Sequence, residues 1–231
     1  MAEPKFVAGV DGCPGGWVCF LVDIHSMSTS VQVIDLPVWL RNRPPGLACV
    51  GIDIPIGLLD GPRACDIAAR KLLGARRGSS VFPTPCRVAV RAGSYEKASA
   101  VNRSTTGRSL SRQAWGIAPK IRQVDDAITS SCQQWAFEVH PEISFWNLNG
   151  KNPMKFKKKS KEGKAERLLL LRTPFPGIDL HLQTRPHHVG ADDLLDAAAA
   201  AWTALRYRAG NAESVCNAEH DDKGLTATIY F

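Results

Sequence analysis

Five acidic residues stand where a carboxylate is costly unless something compensates it. Asp11 closes an apolar run at 5–10, Asp53 lies near the end of another at 47–54, and Glu138 interrupts a third at 135–140. Asp193 and Asp196 stand three apart in DDLLDAAAAAWTALRYR (192–208), a spacing that puts both on one helix face. Carboxylates brought together repel unless a cation lies between them. A hard divalent ion, Mg²⁺ or Mn²⁺, takes oxygen ligands, often one or two carboxylates plus water and phosphate oxygens. The chemistry this implies is metal-assisted hydrolysis of a phosphate ester. Asp11, Asp53, Asp193 and Asp196 are the candidate metal ligands, and Glu138 joins them as a catalytic candidate.

Each acid also has a competing structural reading. An aspartate before glycine forms turns by bonding backbone two residues on. Asp192 and Asp193 suit the N-cap and first turn of a helix. Neither role accounts for Asp196, flanked by Leu195 and Ala197, or for a glutamate in mid-strand, since an unpaired acid among apolar residues is expensive. His140, on the same strand face as Glu138, reads either as a satisfied core histidine or as a partner to Glu138 or Glu142.

The elements that must position these residues follow from pattern. Apolar runs at 5–10, 17–23 and 31–36, joined by short turns including GCPGG, predict an antiparallel three-strand meander. The run 47–54 is nearly continuous, as in a strand buried on both faces; 135–140 is a fifth strand, and 225–230 a final one. Helical spacing covers 64–73, with Gly74 as a stop, then 94–101, 118–134, 142–148, 162–171 and 192–208. This order predicts an α/β fold: a mixed five-stranded sheet, three antiparallel strands plus two parallel to the first, flanked by helices. Adjacent parallel strands would bring Asp11 and Asp53 to within about 5 Å.

The 231 residues fit one domain, 1–231, with helical and basic insertions near 60–134 and 149–165. No apolar stretch has the length of a signal segment or a membrane span. Seven cysteines without a C-x-x-C pair argue against a disulfide framework or zinc cage, so a reducing, cytoplasmic setting is expected. The formal charge of +7 favours an acidic partner. Lysines crowd 151–164, a run that also reads as a solvated mobile loop, and arginines crowd 63–91.

The strings GVDGCPGGWV (9–18), GIDIPIGL (51–58), RACDIAARKLLGARRGSSVFPTPCR (63–87), FEVHPEISF (137–145) and DDKGLTATIYF (221–231) resemble domain of unknown function family 429. The resemblance covers nearly the whole chain. It implies a ribonuclease H-like sheet and a predicted nuclease, with Asp11 similar to the first-strand aspartate of such enzymes and Asp53 to their fourth-strand acid. Asp193 and Asp196 are similar to the spaced pair on the last helix of Holliday-junction resolvases. Arg63, Asp66, Arg70, Arg76, Ser79, Ser80 and Arg87 match the family's own motif, and Lys120 falls in its Ala-Pro-Lys-Ile segment. Arg63, Arg70, Arg76, Arg87 and Lys120 are the phosphate-binding candidates, arginine forks suiting that geometry. Lys161-Glu162 departs from the two basic residues expected after Ser160.

The expected partner is nucleic acid or another phosphate-containing substrate, with no membrane involved. Two other classes compete with a metal-dependent nuclease. One is a nucleotide-binding phosphotransferase or ATPase-like protein of the related actin and sugar-kinase fold, with DGCPGG facing phosphate. The other is a non-catalytic nucleic-acid-binding protein, marked by salt-sensitive, metal-independent affinity. Cys13 sits in a loop that could expose a nucleophile, but no motif pairs it with a base.

Overall fold

Alternation of side chains along β1 (Phe6–Cys13) sorts the molecule into two layers. The computed structural model describes residues 3–231. β1 pairs antiparallel with β2 (Gly16–Asp23), which pairs antiparallel with β3 (Thr29–Ile34). On its other side β1 runs parallel to β4 (Leu47–Ile52), which runs parallel to β5 (Ala136–Glu138). The order β3-β2-β1-β4-β5 is the mixed sheet expected from the pattern, three antiparallel strands extended by two parallel to the first.

Nine helices surround it among the described residues: α1 (Leu36–Arg41), α2 (Ala64–Arg77), α3 (Arg87–Val90), α4 (Tyr95–Thr106), α5 (Arg112–Ala127), α6 (Pro141–Leu148), α7 (Lys161–Leu171), α8 (Ile178–Thr184) and α9 (Ala191–Arg208). Val7 and Cys13 join Phe20, Phe137 and Val139 in a core built against α9. Ala8 and Val10 face the opposite way, packing with Ile52 and Ala136 against Leu36 and Leu40 of α1 and Ile121 and Val124 of α5. The α9 face is made of alanines, and the strand beneath it is glycine. A Cβ at Gly9 would lie 2.0 Å from Ala201 N and 2.1 Å from Ala197 O. Small residues on both partners let helix and sheet touch backbone to backbone, and this fixes the depth at which Asp196 enters the site.

Several boundaries differ from the sequence expectation, each for a local reason. β1 does not close at Asp11. The hairpin continues through Asp11↔Val18, Gly12↔Trp17 and Cys13↔Gly16, while the parallel pairing ends at Val10↔Ile52. α5 starts at Arg112 rather than 118, because the Ser111 hydroxyl accepts the Ala114 N–H at 3.1 Å and caps the helix there. Gly74 does not stop α2: it takes φ 63° at a kink, and the helix resumes to Arg77. The final strand shrinks to β7 (Thr226–Ala227), paired with β6 (Glu219–His220) in a separate ribbon. Beyond it only Tyr230 reaches the main sheet, its N–H donating to Glu138 O at 3.0 Å.

No helix among the described residues is long and apolar enough to cross a membrane. All seven cysteines are free thiols, six of them buried.

Candidate metal centre

Where the parallel pairing stops, two strands release their next residues toward the same helix. Asp11 follows Val10, and Asp53 follows Ile52, its N–H donating to Val10 O at 2.8 Å. Both lie in register with the α9 face. Asp196 descends onto that face one residue before the Ala197 contact with Gly9. Carboxylate oxygens of Asp11, Asp53 and Asp196 all lie within 4.8 Å of one another. Asp11 and Asp196 are buried, and Asp53 is partly so.

The three acids form the floor of a cleft of about 670 Å³. Arg76, Arg77, Lys120, Lys157, Lys158 and Lys159 also line it, so an acidic floor is ringed by cations. Burial, reinforced by Asp53 and Asp196, raises the Asp11 carboxyl well above the carboxylate range. Burial together with Asp196 pushes Asp53 up to about 8. Asp196 is raised by burial although Lys158 pulls it down. Burial is the main reason these groups resist ionising together, and a cation between them would relieve that. The donors nearest one another are all carboxylate oxygens, with no thiolate or imidazole in the set, a donor set that could hold a metal ion. The residues therefore fit such an ion.

The remaining candidates fall in different places. Asp193 lines the cleft but lies outside the three-acid group; its Oδ2 accepts the Gly190 N–H at 3.1 Å, capping α9. Glu138 shares the face of Ala136, opposite α9, and is built into an ion triad. Its Oε1 accepts from Arg63 Nη2 at 2.7 Å and its Oε2 from the Ile56 N–H at 2.7 Å. Arg63, 1% exposed, also meets Asp66 at 2.8 Å and the Ile56 carbonyl at 3.1 Å. Burial still pushes Glu138 up to about 7, against the pull of Arg63.

Arg63 thus faces carboxylates and carbonyls with every nitrogen, leaving no donor for phosphate. Arg87 is likewise engaged by Asp125, Asp221 and Asp222. Arg70 is exposed on α2, does not line the cleft, and donates to the carbonyl of Val81, which does. Arg76 is exposed on the cleft wall. Lys120 also lines it, its ammonium donating to Gly16 O and lying 4.6 Å over the Trp17 ring. His140 lines the cleft with Nδ1 unpartnered, and burial lowers its pKa.

Two residues of the centre are absent from the sequence candidates. Lys158 pairs through Nζ with Asp196 Oδ2. The 151–164 segment is not a free loop here: the Glu166 carboxylate accepts the N–H groups of Lys155 and Phe156 at 2.8 and 3.1 Å. Glu142 pairs with Arg167 through Oε1 and presents Oε2 without a partner. Its signal was its position two residues beyond His140. Nothing in seven clustered lysines distinguishes Lys158.

No curated protein and no solved structure matches the chain. One family model does, described as a protein of unknown function (DUF429), over residues 9–221. Because that match takes in both strand-end aspartates, the arginine-serine motif and the helix bearing Asp196, the chain belongs to the DUF429 family.

Proposed function

We propose that this protein is a divalent-metal-dependent phosphodiesterase acting on nucleic acid, on a ribonuclease H-like sheet. The observation that carries the reading is the meeting of Asp11, Asp53 and Asp196, from three separate elements, within 4.8 Å in a cleft ringed by basic side chains. Asp11, Asp53 and Asp196 would hold Mg²⁺ or Mn²⁺. When bound, such an ion polarises the phosphoryl group and lowers the pKa of a water beside it.

The chain's own residues do the rest. α9, pressed onto Gly9, holds Asp196 at fixed depth, so the ligand set is preorganised. Arg76, Lys120, Lys157 and Lys159 draw a polyanion to the cleft mouth and position its phosphates. Glu138 and Asp66, held by Arg63, also line the cleft and fix the shape of its wall. Sheet order and the placement of the acids support the ribonuclease H-like assignment. The free thiols accord with a cytoplasmic setting.

The test is Mn²⁺-dependent cleavage of single-stranded DNA, duplex DNA and RNA by wild type and Asp11→Asn. Cleavage by wild type and none by a variant that circular dichroism shows to be folded is expected. Equal cleavage by both would overturn the assignment. ATP turnover without cleavage of any nucleic acid would favour a phosphotransferase instead.

A further inference from the structure

An ammonium group set against buried carboxylates takes up charge that a second metal ion would otherwise carry. Lys158 pairs with Asp196 Oδ2, whose side chain is 3% exposed, and Asp53 and Asp11 are the next charges acting on it. Its segment is docked on α7. Glu166 holds the N–H groups of Lys155 and Phe156, and a Cβ at Gly163 would lie 1.9 Å from Lys157 O, so only glycine lets the segment seat. Arg167, 1% exposed, donates to Gly163 O at 2.9 Å and pairs with Glu142. Lys158 is therefore delivered to the acids by the docking of its segment on α7.

The charge balance follows from these pairs. Asp11, Asp53 and Asp196 supply three negative charges when ionised, Lys158 returns one, and Glu142 is neutralised by Arg167. One divalent cation closes that balance for the floor, with Asp193 adding a negative charge on the cleft wall outside it. A second would leave the buried floor strongly positive, which a desolvated site does not tolerate. Independent of the acid cluster, Glu142 Oε2 is unpartnered on a side chain 7% exposed and lines the same cleft, a buried acceptor lacking a donor or cation.

We infer that the centre takes a single divalent ion, with Lys158 supplying the second positive charge and Glu142 Oε2 available as a further oxygen ligand. This rests on the metal-binding part of the proposed function and on no particular substrate. In a two-ion phosphodiesterase a second cation shares the carboxylate cluster; here the Lys158 ammonium, paired with Asp196, would take that place in the charge balance.

The experiment is Mn²⁺ titration of the full chain, counting free ion by electron paramagnetic resonance. Wild type, Lys158→Arg and Lys158→Met are compared, with folding checked by circular dichroism. Wild type and Lys158→Arg are expected to bind one Mn²⁺ per chain, and Lys158→Met two, with spin coupling between them. Two ions in wild type would overturn the inference while leaving the metal site intact, and this result needs no variant to fold. A folded Lys158→Met that still binds one ion would also overturn it. No bound ion in wild type would remove the metal reading itself, a failure distinguishable from the other two.

Discussion

Neutralising Asp53 should make the metal-free protein more stable, and the gain should depend on pH. The ligand oxygens of Asp11, Asp53 and Asp196 lie within 4.8 Å of one another. Two unit charges at that separation repel by roughly 3.5 kcal/mol at an effective dielectric of about 20. Asp53 feels both acids, and Lys158 offsets part of that repulsion. The net effect of Asp53→Asn is then close to one pair, roughly 3 kcal/mol. In a chain of this size each kcal/mol moves Tm by about 2–4 °C, so the shift is about 6–12 °C. Burial and Asp196 raise the folded-state pKa of Asp53 from 3.8 to about 8. The folded state therefore holds the proton more tightly than the unfolded chain. The associated stability is complete below the ordinary carboxylate pKa and lost as pH rises through about 8. Thermal melts in EDTA should show Asp53→Asn above wild type at pH 9, with the gap narrowing as pH falls and closing only below the ordinary carboxylate pKa of 3.8. Mn²⁺ at about one hundred times its Kd should add about 2.7 kcal/mol to wild type and much less to the variant. A variant melting at or below wild type at pH 9 would refute the claim that the acids repel one another.

Gly9→Ala drives a methyl into the α9 backbone, 2.0 Å from Ala201 N, and should cost about 3 kcal/mol or more by urea unfolding. It should also weaken Mn²⁺ binding by displacing Asp196; unchanged affinity would show that the close packing does not set the site. Glu138→Ala leaves Arg63 with half its buried charge partners and should cost about 3–5 kcal/mol. A loss under about 1 kcal/mol in urea unfolding would contradict a structural role for that triad. Arg76→Ala should weaken oligonucleotide binding uniformly across sequences and reduce the salt slope by about one, read by fluorescence anisotropy against salt.

The sequence made the metal acids legible because each breaks an apolar pattern: Asp11 and Asp53 at the rim of hydrophobic strands, Asp196 within an alanine-rich helix face. Alternation places Glu138 with Ala136, yet that parity is informative only once the face covered by α9 is known. Its partner Arg63 lies 75 residues away, beyond any local signal, so the ion triad that holds Glu138 at the cleft could not be read from the sequence. Arg87 escaped for the same reason, since Asp221 lies 134 residues further on. The end of β1 was misplaced because its antiparallel partner outlasts its parallel one, a fact about pairing rather than composition. Lys158 became recognisable only when Glu166 and Gly163 had fixed the path of its segment.

Crystals soaked in Mn²⁺ and measured at the manganese edge probe the metal centre without assuming any substrate. An anomalous peak within coordination distance of Asp11, Asp53 and Asp196 is the predicted result. No peak between them, or manganese bound only elsewhere, would contradict the account.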